Sequence, residues 1–256
     1  MICFSGTSVA SPAANRPGTP VRERVSSIAF PGLGTGVGRV PPGTCARQVL
    51  QAYGLRIPQS ELARTPEEAV EFASKMGYPV VLKIASPDIL HKTDVGGVKV
   101  GLQSATDVRD AYELMVYRAQ RYVPDARIWG CVVQEMVPKG LEVLVGMNRD
   151  PQFGPLVTFG LGGIYVETLK DVTFRVAPFS IAEAEEMMGE IRAHALLDGV
   201  RGNPPADKAA IREALLRIGQ LVQDFPEIAE LDINPLMVYT SGEGAIALDM
   251  RLVLKS

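Results

Sequence analysis

The sequence predicts an α/β protein of mixed α+β character, and three observations carry that prediction. Two helix starts are written as capping signals, Thr65-Pro-Glu-Glu68 and Ser180 with Glu183, each a hydroxyl followed three residues on by a glutamate. Short apolar runs bounded by turn residues, 79–84 and 98–102 foremost, read as strands. Near the end, 230–239 and 245–253 flank Ser241-Gly-Glu-Gly244 as a hairpin. At 256 residues the chain holds one large domain or two small ones, with ample material for a core.

Composition narrows the class. A net charge of -3 with 46% hydrophobic residues is the balance of an ordinary soluble protein and carries no nucleic-acid signature. No stretch approaches the roughly eighteen continuous apolar residues that a membrane helix requires. Cys3, Cys45 and Cys131 are odd in number and far apart, which argues against a disulfide framework and a zinc site and fits a reducing, cytoplasmic compartment. Six arginines against the single acid Glu23 mark residues 1–60. Residues 1–41, rich in Ser, Pro and Gly without hydrophobic periodicity, are expected to be a linker or disordered extension. They lack a secretory apolar core; their acid-poor, Arg- and Ser-containing character is shared by transit peptides, by the remnant of a fused upstream domain and by a start placed too early. Gly32-Leu-Gly-Thr-Gly-Val-Gly38 lacks the preceding strand and following helix of a dinucleotide loop and reads as linker.

In chain order, 45–53 reads as a helix stopped by Gly54, and a second helix runs from Thr65 to Gly77. The strands 79–84 and 98–102 follow, then a helix over 106–121 that places Val108, Ala111, Tyr112, Met115 and Ala119 on one core face. Strands 128–137 and 141–147 flank Pro138-Lys-Gly140, where the chain crosses between lobes. A turn at 148–154, a strand at 155–159 and the glycine-rich Gly160-Leu-Gly-Gly163 come next. The helix from Ser180 reaches about His194, whose imidazole suits a helix C-terminus and is read as structural. Asp207 caps a longer helix ending near Phe225.

Certain residues carry chemistry. Lys83 closes an apolar run, and a buried ammonium requires an anion, so it either faces an anion-holding cleft or snorkels from an edge strand. Ser86-Pro-Asp-Ile-Leu-His91-Lys-Thr-Asp-Val-Gly96-Gly97 is a turn-rich loop bearing one of only two histidines and ending on a glycine pair that admits phosphate closely. An imidazole nitrogen there is either a polar surface group or a phosphoryl acceptor. Glu135 and Glu142, seven apart, read by themselves as cross-strand partners of Lys139. In the last hairpin, a turn centred between Gly242 and Glu243 puts Asp249 opposite Leu236 and near Asn234, two oxygen donors of the kind Mg²⁺ takes beside phosphates. Pro235 is expected to make a bulge that aims Asn234 inward.

Three long words, GYPVVLKIASPDILHKTDVGGVKVGL, VVQEMVPKGLEVLVGMNRDPQFGPLVTFGLGGIYVETLKDVTFRVAP and ELDINPLMVY, resemble the nucleotide-binding β subunit of ADP-forming acetyl-CoA synthetases, relatives of the succinyl-CoA synthetase β chain within the ATP-grasp superfamily. The resemblance covers about 42–254 and implies an ATP-grasp fold whose two lobes, 42–133 and 134–256, enclose a nucleotide. It implies Lys83 on the phosphates, Gln134, Glu135 and Val137 at adenine, Glu142 at ribose, and Gly162 and Gly163 bordering the cleft with Glu167, Lys170, Asp171 and Arg175. It further implies Asn234 and Asp249 as Mg²⁺ ligands, with Asp232 a weaker third, and His91 as a phosphoryl carrier flanked by Lys92 and Asp94. ATP or ADP and Mg²⁺ are then the cofactors. A separate α subunit or domain, in a hetero-oligomer, supplies CoA binding and acyl-phosphate chemistry, for which this chain shows no recognisable segment. Two other functions fit the same residues: an ATP-grasp carboxylate ligase that passes phosphate directly to a carboxylate, and a nucleotide-sensing module of a fused protein acetyltransferase.

Overall fold

The structure, a computed structural model, describes residues 42–89, 92–163, 170–200 and 202–255, with side chains from Ala46 onward. The expected extension 1–41 lies outside the described residues. In chain order the elements are α1 (Pro42–Ala52), β1 (Ser60–Ala63), α2 (Pro66–Met76), β2 (Val80–Ala85), β3 (Val98–Leu102), α3 (Ala105–Tyr122), β4 (Gly130–Glu135), β5 (Leu141–Asp150), β6 (Gly154–Leu161) and β7 (Val172–Val176). Then come α4 (Ile181–Glu190), a 3₁₀ turn (His194–Leu196), α5 (Lys208–Asp224), β8 (Ile228–Val238), β9 (Ala245–Ala247) and β10 (Met250–Leu254).

Two compact units result: Pro58–Pro138, and the described residues up to Ile57 together with those from Lys139 onward. The smaller unit is an antiparallel sheet in the order β1-β4-β2-β3 backed by α2 and α3. Its helices start where the sequence signals them. Thr65 Oγ1 accepts from Glu68 N at 3.2 Å, while the Glu68 carboxylate reaches back one residue beyond the cap, to Arg64 N at 2.7 Å. Ser104 caps α3, and Val108, Ala111, Tyr112, Met115 and Ala119 are its buried face, as the periodicity predicts. Val80, Leu82 and Ile84 of β2 meet that face with Cys131 and Val133 of β4. Strand alternation therefore turns Val81, Lys83, Val132 and Gln134 to the opposite side of the sheet.

The larger unit is an antiparallel sheet in the order β10-β8-β5-β6-β7, with β9 also paired to β8. Val143, Val145, Met147, Val157, Phe159 and Leu161 pack with Met187 of α4 and Ile211, Leu215 and Ile218 of α5. Both capping-box bonds form at Ser180 and Glu183. The helix expected to reach His194 stops at Glu190, because Ile191 turns extended and is itself buried, 1% exposed.

The expected division at 133/134 is corrected. Residues 134 and 135 stay in the smaller unit because β4 ladders on β2 as far as Val80↔Glu135. α1 belongs to the larger one: Ala46, Val49, Leu50 and Tyr53 bury in its core, and the Tyr53 hydroxyl donates to Asp224 Oδ2 at 2.7 Å. β1 and β7, short and half-exposed, were not foreseen; each lies at a sheet edge, where pairing rather than a continuous apolar run makes the strand.

Candidate active site

In the smaller unit, Lys83 lies in a strand with neighbours on both sides, opposite Val98 of β3 and Val132 of β4. An edge-strand lysine is thereby ruled out: the side chain is half-buried on the sheet face turned from the helices. Gln134 shares that face, two residue pairs along at Val81↔Gln134, and is only 2% exposed. Glu135 ends β4, and its carboxylate accepts from Gln59 N at 2.9 Å while its own N–H donates to Gln59 O at 3.0 Å. This side chain braces the entry to β1 instead of pairing across to Lys139. Val137 follows, half-buried, just before the unit ends.

In the larger unit, three of the expected residues come together. Gly162 N donates to Glu142 O at 2.7 Å, and a Cβ on Gly162 would sit 3.0 Å from Glu142 Cβ. Gly163 has φ +64°, and a side chain there would meet the Glu142 carboxylate at 3.3 Å. The glycine pair is therefore required by the close approach of its loop to β5, and Glu142 is left exposed beside it.

The final hairpin assembles the oxygen donors more closely than expected. Leu236 pairs with Ala247 and Ile233 with Met250, so the register puts Asp249 opposite Asn234 and corrects the expected pairing with Leu236 by two residues. Backbone bonds fix it, Asn234 N to Asp249 O at 3.0 Å and Leu248 N to Pro235 O at 3.1 Å. The cause is the turn, which is centred between Ser241 and Gly242, because Tyr239 N closes on Gly244 O and Glu243 N on Thr240 O. The bulge expected at Pro235 is present: β5 advances from Val143 to Val145 while β8 goes from Leu236 to Ile233. Burial, reinforced by the charge of Asp249 and opposed by Arg251, pushes the half-buried Asp232 carboxyl above its ordinary value. A carboxylate whose ionisation a second one opposes, next to an amide, offers hard oxygens of the kind a divalent cation takes. Among the described residues no group of three or more His, Cys, Asp or Glu gathers that could hold a metal ion.

Other candidates resolve into structure. Arg175 is engaged by Glu190 at 2.6 and 2.9 Å and by Glu186 at 3.4 Å. Asp171, buried, accepts from Arg192 N and Ala193 N at 2.8 and 2.9 Å and so orders the turn after α4. His194 Nδ1 meets Ile191 O at 3.1 Å, the structural role read from sequence. Cys131 is a free, buried thiol that burial pushes up to about 12. His91 and Glu167 lie outside the described residues. One feature escaped sequence reading: Asp88, at the start of the histidine loop, is clamped by Arg127, thirty-nine residues on, a pairing that no local pattern signals.

The comparisons identify the family and the fold. The ATP-grasp domain family matches residues 39–254. The acetate–CoA ligase [ADP-forming] I subunit beta of Pyrococcus furiosus is 48% identical over 209 residues, 82% of this chain and 89% of that one. A structure of the dinucleotide-forming acetyl-coenzyme A synthetase 1 of Ca. Korarchaeum cryptofilum, in complex with coenzyme A, Ca-AMPCP and HgCl⁺, superposes with TM-score 0.80 at 47% identity, covering 83% of this chain and 92% of that one. Another structure of that synthetase holds coenzyme A and Mg-AMPPCP with its phosphohistidine segment pointing towards the nucleotide-binding site; it has TM-score 0.72 at 44% identity and covers 83% and 92%. On the family match over most of its length and the likeness to a full ligase subunit, this chain belongs to the ATP-grasp family, among the β subunits of the ADP-forming acetate–CoA ligases.

Proposed function

We propose that this chain is the nucleotide-binding subunit of an ADP-forming acetate or acyl-CoA ligase, interconverting acyl-CoA, ADP and phosphate with carboxylic acid, ATP and CoA. The observation that carries the reading is its near-full-length likeness, at 48% identity, to a ligase subunit beta. The likeness to a synthetase seen with Ca-AMPCP and with Mg-AMPPCP supports ATP or ADP and a divalent cation as its ligands.

Each residue then has a role. Lys83 neutralises phosphate charge, a contribution that phosphoryl transfer needs more than covalent help. Gln134 contacts the base edge; because the Glu135 side chain is committed to Gln59 N–H, further contacts there fall to the backbone of 135–137. Glu142 receives the ribose hydroxyls, and Gly162 and Gly163 let their loop close on it. Asn234 and Asp249, with Asp232 beside them, hold Mg²⁺, which when bound offsets the charge of the phosphates. His91 is the phosphoryl carrier: an imidazole nitrogen attacks the γ-phosphorus, an N–P bond forms as the β,γ-bridging O–P bond breaks, and ADP leaves. The N–P bond keeps enough transfer potential to pass the group on to an α subunit that binds CoA and the acyl group, so the working enzyme is a hetero-oligomer. A free buried cysteine fits a reducing cytoplasm, and among the described residues no helix is long and apolar enough to cross a membrane.

The test is transfer from γ-labelled MgATP to wild-type and His91→Ala chains, each alone and with an α subunit. Acid-labile, base-stable label that is lost in the variant, with MgADP binding retained, is the expected result. Full turnover by His91→Ala removes the relay and points to direct transfer to a carboxylate. Nucleotide binding with no label even beside the α subunit points to a sensing module.

A further inference from the structure

The outer side of α3 carries two large apolar residues in a charged frame. Val108, Ala111, Tyr112, Met115 and Ala119 fill the core of the smaller unit, so the burial this amphipathic helix needs is complete on its inner side. On the other side Leu114 and Tyr117 are 41% and 58% exposed. Single exposed apolar residues need no explanation, but these two stand in a pattern. Asp110, Leu114, Tyr117 and Arg121 follow one another at spacings of four, three and four, the seam of a helix that packs along another helix. Asp110 and Arg121, both exposed, end the seam with opposite charges. Helix-end electrostatics do not account for the acid, because Asp110 is the sixth residue of α3, past the first turn where the macrodipole acts. Among the described residues Asp110 is in no ion pair, so its carboxylate is available to another chain. Arg121 Nη1 donates to the Tyr117 hydroxyl at 3.3 Å, which sets guanidinium and ring side by side on the seam.

We propose that the outer face of α3 is a self-recognition surface on which a second copy of this chain docks antiparallel. The order acid, apolar, apolar, base is its own complement when reversed. About a twofold axis between Leu114 and Tyr117, Asp110 faces the partner's Arg121, Leu114 faces the partner's Tyr117, and both pairs recur beyond the axis. Parallel pairing would set acid against acid and base against base, so the same charges that favour one arrangement oppose the other. A single short seam buries far less than the roughly 1,600 Å² of a standard interface, and the contact is accordingly weak and reversible, with the charge order supplying its specificity. It lies wholly on the smaller unit and depends on no role given to the nucleotide-site residues.

The test is sedimentation velocity of the full chain over a range of concentrations, with binding to an α-type subunit measured in parallel. The wild-type chain should pass from monomer to dimer as its concentration rises. Asp110→Arg and Arg121→Asp should each weaken the dimer at least about tenfold, since each change is felt twice across the axis and turns attraction into repulsion. The double variant Asp110→Arg/Arg121→Asp rebuilds both pairs in reverse and should return the affinity to within about threefold of wild type. Leu114→Gln removes the apolar centre and should also weaken the dimer, while urea midpoints close to wild type in all these exposed-site variants show the monomer intact. A wild-type chain that stays monomeric up to about 1 mM overturns the proposal. A dimer indifferent to the single variants, or a double variant no better than either, overturns it too. Single variants that lose affinity for the α-type subunit with self-association unchanged would give the face to that subunit and overturn it as well.

Discussion

Asp249 does two things with one residue. Its carbonyl accepts from Asn234 N–H and so fixes the register of the hairpin, while its carboxylate is the charge that, after burial, holds the Asp232 carboxyl up. A substitution that spares the backbone should therefore remove the proposed cation ligand and keep the strand pairing. Asp249→Ala is expected to weaken MgADP binding by at least about tenfold, the lower end of the loss when a metal site loses a supporting group, while binding of ADP in excess chelator stays unchanged. Calorimetric titration with and without Mg²⁺ measures both, and an equal fall in the two would mean that Asp249 supports the fold and not the ion. At this scale the sequence discloses residue types and spacings but not partners. Asn234 and Asp249 were legible as a pair because one hairpin joins them. Asp88 and Arg127 were not, because the residues between them form a strand and a long helix whose return path only tertiary packing decides.

The start of α5 shows how one element is stitched to another. Asp207 Oδ1 accepts from Ala210 N at 3.0 Å as an N-cap, while Oδ2 accepts from Gly242 N and Gly244 N, both at 2.9 Å, in the β8–β9 turn. Its own N–H donates to Tyr239 O at 2.9 Å. Burial acts to raise this carboxyl, but the backbone N–H groups of Ala210, Gly244, Gly242 and Ala209 together outweigh it and lower it. The folded state therefore favours the ionised form, and the stabilisation is present above the ordinary aspartate range and lost as pH falls through and below it. Asp207→Ala should cost about 2 kcal/mol or more at pH 7, a strong cap plus two orphaned turn amides, with the gap from wild type narrowing at pH 3. Urea melts at the two pH values check this; a gap that holds at pH 3 would show that the carboxylate charge is not what matters. The cap itself could be read from Asp207 ahead of an amphipathic run. The second half of its work could not, and the same turn shifted the predicted hairpin register by two residues, since four consecutive turn-forming residues, Ser241 to Gly244, permit more than one centre.

For the whole molecule, the division into units follows burial rather than sequence order. The smaller unit is a single stretch, Pro58–Pro138, whereas the larger draws on chain from both sides of it. α1 joins the larger core through Leu50 and Tyr53, and Arg217 Nη1 donates to the Tyr53 carbonyl, far along the chain. The helix was legible from its apolar spacing, but its allegiance was not, because an amphipathic stripe states that a face is buried without stating against what. The residues proposed for the site divide as well: Lys83, Gln134 and the histidine loop belong to one unit, while Glu142, the glycine pair and the hairpin oxygens belong to the other. If the proposed division of labour holds, phosphoryl capture and thioester synthesis should separate experimentally. The chain alone should take label from MgATP at His91 in a single turnover, and acetyl-CoA should form from acetate, CoA and ATP only after an α-type subunit is added. A coupled assay for thioester, run across a titration of that subunit, is expected to rise from background and saturate at a fixed ratio of the two chains. Thioester made by this chain alone, at a rate that added α subunit does not change, would place the whole reaction within it and reverse the division of labour.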